Sequence, residues 1–151
     1  MRILFVCLGN ICRSPLAEGI FNAMVAQSSL SHSCDSAGTA AYHIGELPDH
    51  RSRLIAQNNG ITLTHRARQI RLEDFSQFDY IIAMDRSNYQ DIIALQKKLS
   101  SPSQAQVVMM RQYDTASKHL DVPDPYYGTE KDFEEVYEIL HRCLEKFLTN
   151  L

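Results

Sequence analysis

The stretch RILFVCLGNICRSP, residues 2–15, predicts both how the fold begins and where its chemistry lies. Residues 2–6 form a short run of β-branched and aromatic side chains, which is typical of a buried strand. Ser14 and Pro15 then indicate a helix start, because serine is a preferred N-cap and proline suits the first helical position. Residues 7–14 therefore lie in a loop between a strand and a helix N-terminus.

The rest of the chain alternates apolar runs with helical patterns. It predicts strands over residues 32–37, 80–84 and 106–110, and helices over residues 48–58, 86–95 and the final segment. Strands that alternate with helices favour a parallel sheet covered on both faces. Ligands bind beyond the carboxyl ends of the strands in such sheets, so the loop of residues 7–14 is the first candidate site.

Size and composition predict one domain, residues 1–151, with no membrane-spanning segment and no membrane partner. The net charge of −3 lacks the clustered basic character of a nucleic-acid-binding protein, so we expect no nucleic-acid partner. The four cysteines are too few and too scattered for a disulfide-stapled secreted domain. We therefore expect a cytoplasmic location, where a cysteine is able to act as a nucleophile.

The loop has the pattern cysteine, five residues, arginine, serine, and this pattern predicts an anion site. Its backbone N–H groups can turn inward around an anion, and the following helix adds the positive end of its dipole. We expect Gly9 to supply the positive φ that the turn needs and Arg13 to grip two phosphate oxygens. The same field favours the thiolate of Cys7, so we expect an ionised nucleophile at neutral pH. The pH dependence of Cys7 alkylation tests this expectation.

Residues 6–18, VCLGNICRSPLAE, resemble the signature of the low-molecular-weight protein tyrosine phosphatases. Further blocks occur in the order of that family, and they comprise residues 35–39, Gly45 with Pro48-Asp49, residues 60–70, Met84-Asp85 with Ser87-Asn88, and residues 124–128. The resemblance implies an α/β fold: a single three-layer, doubly wound domain with a central four-stranded parallel sheet, of the flavodoxin-like type.

The resemblance also implies an activity, which is hydrolysis of phosphotyrosine in proteins and of small aryl phosphates through a phosphocysteine intermediate. Cys7 is the implied nucleophile, Arg13 binds phosphate together with the loop amides, and Asp124 is the general acid and then the general base. Without the resemblance, Asp124 before a proline would be interpreted as a turn residue. Two nearby carboxylates, Asp114 and Asp121, are interpreted as ordinary surface residues.

The other residues that the resemblance assigns support the loop or line the substrate pocket. Ser14 is expected to hydrogen-bond the Cys7 thiolate, and Asn10 and His65 to brace the loop. The phosphate-binding and supporting set comprises Leu8, Gly9, Asn10, Ile11, Cys12, Ser14 and His65, and the pocket residues are Tyr42, Tyr126 and Tyr127. Ile11 is expected to narrow the substrate slot to a shape that suits a flat aromatic ring, whereas relatives that resemble protein-arginine phosphatases carry a threonine at this position.

Cys12 has two interpretations. It packs beneath the loop as a small apolar residue, or it traps an oxidised Cys7 as a reversible disulfide, which the resemblance favours. No cofactor and no metal are expected, because the six histidines lack zinc-ligand spacing and the loop amides with Arg13 are able to carry the phosphate charge. The expected partners are phosphotyrosine-containing proteins, and the expected state is a monomer or weak dimer.

Two alternative functions remain for this loop. A thiol-linked arsenate reductase needs further cysteines to relay a disulfide, and residues 85–101 contain none. A non-catalytic phosphate-binding module keeps the loop but has no need of both Arg13 and Asp124. Multiple turnovers, as opposed to stoichiometric phosphate retention, distinguish an enzyme from such a module.

Overall fold

The computed structural model describes residues 1–117 and 119–151. A parallel sheet lies at its centre, and its strands are β1 (Arg2–Cys7), β2 (Ser33–Gly38), β3 (Tyr80–Ala83) and β4 (Gln106–Met109). The strand order is β2-β1-β3-β4, and every neighbouring pair is parallel. The prediction of four parallel strands is confirmed, with ends that differ by a residue.

The described residues form five α-helices and one 3₁₀ turn. They are α1 (Arg13–Ala26), α2 (His50–Asn58), α3 (Asp74–Gln77), α4 (Arg86–Gln96), α5 (Glu130–Thr149) and the turn Met110–Tyr113. The chain runs from β1 outward to β2 and then crosses back to β3 and β4, so the direction of winding changes at β1. A crevice opens at such a point beyond the carboxyl ends of the strands, which places the loop after β1 in it.

The sheet is buried on both faces because successive side chains of a strand point to opposite sides. Ile3 and Phe5 of β1 pack into one core with residues of α1 and α5, where the rings of Phe5 and Phe21 lie 5.7 Å apart. Leu4 and Val6 pack into a second core on the other face with Phe75 of α3 and Ile92 of α4. The three-layer, flavodoxin-like α/β architecture that the sequence predicts is confirmed.

The start of α1 differs from the predicted one. The helix begins at Arg13, and Cys12 occupies the N-cap position with no side-chain cap bond among the described residues. Ser14 is therefore not the cap, because its hydroxyl lies 3.0 Å from Cys7 Sγ and accepts a hydrogen bond from Asn10. Pro15 still lies in the first turn, where its missing N–H costs no helical hydrogen bond.

Asp114 also differs from its prediction, since its side chain is fully buried. Its carboxylate accepts hydrogen bonds from Arg111 Nε at 2.8 Å and from Arg142 Nε of α5 at 2.7 Å. The backbone N–H of Ala116 donates to it as well, at 2.9 Å. Asp114 thus anchors the segment after β4 to the C-terminal helix. Asp121, by contrast, is partly exposed and pairs with the exposed Arg86.

Among the described residues, no helix combines the length and apolar character that crossing a bilayer requires. The long helix α5 confirms the helix predicted for the final segment, and it buries one apolar stripe in the core on one face of the sheet. The buried residues of this stripe include Phe133, Val136, Leu140, Leu144 and Phe147.

Candidate active site

The loop after β1 forms a cradle whose carbonyl groups point away from the centre. The carbonyls of residues 7, 8 and 11 accept hydrogen bonds from the amides of Thr39, Ala40 and Asp49, at 2.9, 2.9 and 2.7 Å. The carbonyl of Cys12 accepts one from Ser52 Oγ at 3.0 Å. In a planar trans peptide the N–H points opposite to the C=O, so the amides of residues 8, 9, 12 and 13 face the inside of the cradle. Converging N–H groups of this kind form an anion-binding concavity.

The positive φ of the loop is at Asn10, with a value of 58°, so the prediction that assigned it to Gly9 is wrong. Asparagine tolerates this left-handed conformation better than most residues. A side chain at Gly9 would be crowded instead, because its Cβ would lie 3.0 Å from Cδ2 of His43 and the imidazole would have to shift by a few tenths of an ångström. Gly38, at the end of β2, is likewise needed for close approach, since its Cβ would lie 2.7 Å from the carbonyl oxygen of Leu8.

Cys7 lies at the base of the cradle and is 2% exposed. Its Sγ is 3.0 Å from Ser14 Oγ, and the Ser14 hydroxyl in turn accepts a hydrogen bond from Asn10 Nδ2 at 2.8 Å. The amide proton of Asn10 occupies one side of the hydroxyl oxygen, so the hydroxyl proton is left to point toward Cys7 Sγ or toward the Ala37 carbonyl, which lies 3.4 Å from Ser14 Oγ. Ser14 is therefore the polar partner of the sulfur at the base of the cradle.

Arg13 is buried at the rim of the cradle, and its Nη1 is held firmly in place. That nitrogen donates to Asp85 Oδ2 at 2.7 Å and to the Val122 carbonyl at 3.0 Å. Its Nη2 lies 3.5 Å from Asp124 Oδ2. Burial lowers the pKa of Arg13, but the negative charges of Cys7, Asp85 and Asp124 outweigh burial and raise it, so the guanidinium stays charged.

A cleft of about 240 Å³ leads from the surface to this cradle. Its floor and walls unite most of the residues that the sequence assigned to the site. The lining residues are Cys7, Leu8, Gly9, Ile11, Cys12, Arg13, Tyr42, His43, Asp124, Tyr126 and Tyr127. Asp124 is 45% exposed and lies beside Arg13, so it is open to a bound ligand and to water.

The remaining assigned residues, Asn10, Ser14 and His65, lie behind the loop. Asn10 Oδ1 accepts hydrogen bonds from His65 Nε2 at 2.8 Å and from the backbone of Arg68 at 2.9 Å. Its Nδ2 donates to the hydroxyls of Ser14 and Ser36 at 2.8 and 3.0 Å. The side chain of Asn10 therefore joins the nucleophile to the segment around residue 65.

The far side of His65 faces two carboxylates. Its Nε2 donates to Asn10 Oδ1, and its Nδ1 lies 3.2 Å from a carboxylate oxygen of Glu18 and 3.4 Å from one of Asp35. Burial raises the pKa of Glu18 to about 7 and lowers the pKa of His65.

The same three side chains, Glu18, Asp35 and His65, have a spacing that would suit a metal ion. Positive charge is already present there, because the guanidinium of Arg68 lies 3.0 Å from Asp35. Arg68 also donates to the buried Asp74 at 3.0 and 3.2 Å, so its positive charge is shared between Asp35 and Asp74. Through His65 the cluster contacts Asn10 of the loop.

Cys12 lies in the same loop and is buried. Burial raises its pKa well above that of an ordinary thiol, and the negative charges of Asp49 and Cys7 act in the same direction. Cys12 is therefore a neutral thiol beside the candidate nucleophile, which fits both of its interpretations.

Sequence reasoning gave no role to two residues of the site, namely Asp85 and Arg51. Asp85 lies two residues beyond the end of β3, the strand next to β1, so its position in the sequence indicated a charged group at the carboxyl edge of the sheet. Arg51 donates to the carbonyls of Tyr126 and Gly128 at 2.9 and 3.2 Å, and thereby holds the segment that follows Asp124. Arg51 and these two carbonyls are more than 70 residues apart in the chain, so no local sequence pattern predicted the contacts.

Comparison with known proteins places this geometry in a family. The family model "Low molecular weight phosphotyrosine protein phosphatase" matches residues 2–151. The low molecular weight phosphotyrosine protein phosphatase of Gallus gallus is 45% identical over 148 residues, which cover 97% of this chain and 92% of that protein. A crystal structure of a Drosophila arginine phosphatase has a TM-score of 0.96 at 31% identity, covering 99% of this chain and 97% of the other. A protein tyrosine phosphatase from Entamoeba histolytica has a TM-score of 0.92 at 39% identity, covering 99% and 96%.

Proposed function

Because the chain belongs to the low molecular weight phosphotyrosine protein phosphatase family, we propose that it hydrolyses phosphotyrosine in proteins through a phosphocysteine on Cys7. One observation carries the proposal: Cys7, Arg13 and Asp124, a nucleophile, a cation and an acid, line one cleft. Each step of the reaction then follows from a group that this cleft contains.

The first step transfers the phosphoryl group to sulfur. Cys7 Sγ attacks phosphorus, the bond from phosphorus to the tyrosine oxygen breaks, and Asp124 gives its proton to that oxygen. The inward amides of the cradle carry the charge on the equatorial oxygens. Since Nη1 of Arg13 is held by Asp85 and Val122, its Nε–Nη2 edge is the edge that grips two phosphate oxygens.

The second step releases phosphate and restores the thiolate. A water molecule attacks phosphorus, the Asp124 carboxylate takes a proton from it, and the bond from phosphorus to sulfur breaks. The hydroxyl of Ser14, 3.0 Å from Cys7 Sγ, hydrogen-bonds the departing thiolate. Every proton moved in the two steps passes through Asp124.

The deciding experiment measures turnover of phosphotyrosine in excess EDTA by the wild type and by Cys7→Ser. We expect many turnovers by the wild type and loss of turnover in Cys7→Ser. Cys34→Ser, a matched substitution at a cysteine outside the cleft, should keep the wild-type rate. No turnover by folded, reduced wild type would overturn the proposal in favour of a phosphate-binding module or arsenate chemistry.

The likeness to an arginine phosphatase makes phosphoarginine a second candidate substrate. Ile11 lines the cleft, and its branched side chain narrows the slot in a way that suits a flat aromatic ring better than a guanidinium on a flexible stem. We therefore expect a higher kcat/KM for a phosphotyrosine peptide than for the matching phosphoarginine peptide. The reverse order would make this chain an arginine phosphatase.

The position of Cys12 supports a redox role for the same loop. An oxidant of the peroxide class converts the Cys7 thiolate to a sulfenic acid, and the Cys12 thiol then displaces water to form a Cys7–Cys12 disulfide. Mass mapping after mild peroxide tests this, and a Cys7 sulfinic acid beside a free Cys12 would reject it. The four free thiols also favour the cytoplasm, where they stay reduced.

For the assembly state, we propose a monomer or weak dimer. Sedimentation across a range of concentrations tests it, and a stable oligomer at low concentration would contradict it.

A further inference from the structure

The cluster of Glu18, Asp35 and His65 lies behind the loop that follows β1. Glu18 belongs to α1, Asp35 to β2 and His65 to the segment between α2 and α3, so only the fold brings them together. One ligand atom of each residue lies within 4.8 Å of the ligand atoms of the other two. The proposed reaction uses none of these atoms.

The tautomer of His65 is fixed by Asn10. The backbone N–H of Arg68 donates to Asn10 Oδ1 at 2.9 Å, so this atom is the amide oxygen and an acceptor. His65 Nε2 lies 2.8 Å from the same oxygen and therefore carries a proton. In the neutral imidazole, Nδ1 is then left with a lone pair and no proton. Metal-binding histidines are oriented by such a hydrogen bond at the other ring nitrogen.

The lone pair of Nδ1 faces two further acceptors. Nδ1 lies 3.2 Å from Glu18 Oε2 and 3.4 Å from Asp35 Oδ1, and no donor within the described part of the chain reaches it. Acceptors at such distances repel one another unless a cation lies between them. Burial lowers the pKa of His65 and raises the pKa of Glu18 to about 7, so a proton on Glu18 is the competing occupant.

The charges around the cluster leave room for a further cation. Arg68 donates to Asp35 at 3.0 Å and to Asp74 at 3.0 and 3.2 Å. The exposed Arg71 is paired with Asp74, with its Nε 4.0 Å from a carboxylate oxygen. These two guanidinium groups face three carboxylates, and neither forms an ion pair with Glu18.

The measured distances fit a tetrahedral zinc site. With bonds of about 2.0–2.1 Å from zinc to nitrogen and oxygen, the ligand atoms of a tetrahedron lie about 3.3 Å apart. The distances from His65 Nδ1 to the two carboxylates are 3.2 and 3.4 Å. An imidazole ligand suits zinc, whereas magnesium and calcium prefer larger sets of oxygen ligands.

The two carboxylates are held in place, and the cluster is open to solvent on one side. The Ser36 hydroxyl donates to Glu18 Oε2 at 2.6 Å, and the Ser36 backbone N–H donates to Asp35 Oδ1 at 2.8 Å. A cavity of about 310 Å³, lined by Glu18 and His65 among others, adjoins them. It offers a path for a metal ion and space for a water ligand.

We propose that Glu18, Asp35 and His65 bind a zinc ion, with a water molecule from the cavity as the fourth ligand. The spacing of the histidines in the sequence does not reveal such a site, because one histidine and two carboxylates from three elements form it. The ion fixes the imidazole of His65 and, through Nε2, the side chain of Asn10. The proposed function needs no metal and is tested in excess EDTA, so either proposal can fail without the other.

The first test uses cobalt in place of zinc, because tetrahedral Co²⁺ absorbs visible light. Metal-free wild type is titrated with CoCl₂, and we expect it to bind one Co²⁺ per chain. The complex should show visible d–d bands without the near-ultraviolet charge-transfer band that a thiolate ligand adds. Cys7→Ser should give the same spectrum and affinity, and zinc should displace the cobalt.

Two variants each remove the charge of one ligand with little change of shape. We expect Glu18→Gln and Asp35→Asn to weaken Co²⁺ binding by at least about tenfold each. Asp91→Asn, at an exposed carboxylate of α4, is the matched control and should bind Co²⁺ as the wild type does.

Thermal unfolding gives a measurement on the wild type itself. The unfolded chain lacks the assembled site, so added Zn²⁺ should raise the midpoint of unfolding in proportion to the logarithm of its concentration once the site is saturated. Asp91→Asn should show the same rise, and Asp35→Asn a much smaller one.

Three outcomes would overturn the site. Absence of visible bands with Co²⁺ would leave the space to a proton shared by Glu18 and His65. A thiolate band that disappears in Cys7→Ser would place the metal on the nucleophile. Equal Co²⁺ affinity in wild type, Glu18→Gln and Asp35→Asn would mean that the metal binds elsewhere.

Discussion

At the scale of single residues, Asn10 controls the phosphate-binding loop. It combines a left-handed backbone with a carboxamide that makes hydrogen bonds to Ser14, Ser36, His65 and the backbone of Arg68. Asparagine is the residue type that tolerates this φ while offering two donors and an acceptor. The conformation of the loop and the hydroxyl beside the nucleophile therefore depend on one side chain.

Replacing Asn10 separates these two contributions. Asn10→Gly accepts the positive φ but loses the hydrogen bonds, so we expect about 2–4 kcal/mol less unfolding free energy and a kcat at least about tenfold lower. Asn10→Ala should cost about 1 kcal/mol more, because alanine resists this φ. Urea unfolding and steady-state kinetics measure both effects. Wild-type kinetics in Asn10→Gly would show that the hydrogen bonds are dispensable.

Asp124 carries the proton in the proposed reaction, and comparing substrates with different leaving groups tests this role. Asp124→Asn cannot protonate a leaving oxygen, so we expect kcat for phenyl phosphate to fall by about 10²–10⁴-fold. The loss should be much smaller for p-nitrophenyl phosphate, whose leaving group is stable as an anion. Asp121→Asn, a matched change three residues earlier, should alter neither rate. Equal losses on both substrates in Asp124→Asn would argue against proton donation.

At the scale of elements, the starts of the helices organise the site. The N-cap of α4, Asp85, accepts from the backbone of Asn88 and also holds Arg13. The N-cap of α2, Asp49, donates its backbone N–H to the carbonyl of Ile11 and pairs through its carboxylate with Arg51. Because parallel strands end at one edge, helices that begin there deliver their caps to the same cleft.

Arg51 links α2 to the segment that carries the proposed acid. Its guanidinium contacts the Asp49 carboxylate and the carbonyls of Tyr126 and Gly128. Lysine lacks this planar fork, so in Arg51→Lys we expect kcat for phenyl phosphate to fall several-fold more than kcat for p-nitrophenyl phosphate. Arg53→Lys, on the same helix, is the control. A uniform loss on both substrates would indicate a structural effect that does not act through Asp124.

At the scale of the whole molecule, a sheet with a core on each face supports the site. The C-terminal helix α5 is also connected to the segment that carries Asp124, through Asp114 and Arg111. Arg111 donates to the Asp114 carboxylate and also to the Asp121 carbonyl, the latter at 2.8 Å. The carbonyl of the next residue, Val122, receives Nη1 of Arg13. A chain of polar contacts thus runs from the C-terminal helix to the phosphate-binding arginine.

Removing the charge of Asp114 should therefore destabilise the fold. Asp114→Asn leaves Arg111 and Arg142 without their anion, and we expect a loss of about 3 kcal/mol in unfolding free energy near neutral pH. Asp121→Asn, which breaks an exposed pair, should cost at most about 1 kcal/mol. Urea unfolding of both variants compares the two effects. A loss in Asp114→Asn no larger than that in Asp121→Asn would show that the buried cluster contributes little.

The pH dependence of Asp114 has a definite sign. Burial acts to raise the pKa of Asp114, but hydrogen bonds and charge from Arg142 and Arg111 outweigh burial and hold it well below the usual range. Because the pKa is lower in the folded state, the ionised carboxylate stabilises the fold above about pH 4. This stabilisation is lost as the pH falls toward the folded-state pKa. The difference between wild type and Asp114→Asn should therefore shrink in acid. A difference that stays constant down to pH 2 would contradict this account.

The sequence by itself determined the strands, the amphipathic α5 and the position of the phosphate-binding loop, because these depend on local periodicity and on neighbours in the chain. The resemblance of its blocks to one family pointed to Asp124 and the pocket tyrosines. Only the tertiary structure decided that Asn10, and not Gly9, adopts the positive φ, and that Ser14 does not cap α1, since the helix begins at Arg13 with Cys12 at the N-cap. It also decided that Asp114 is buried and that Asp85 and Arg51 hold the site. Several of these outcomes depend on groups that are far apart in the chain, such as Asn10 with Ser36 across 26 residues and Arg13 with Val122 across 109, and no local pattern encodes such contacts.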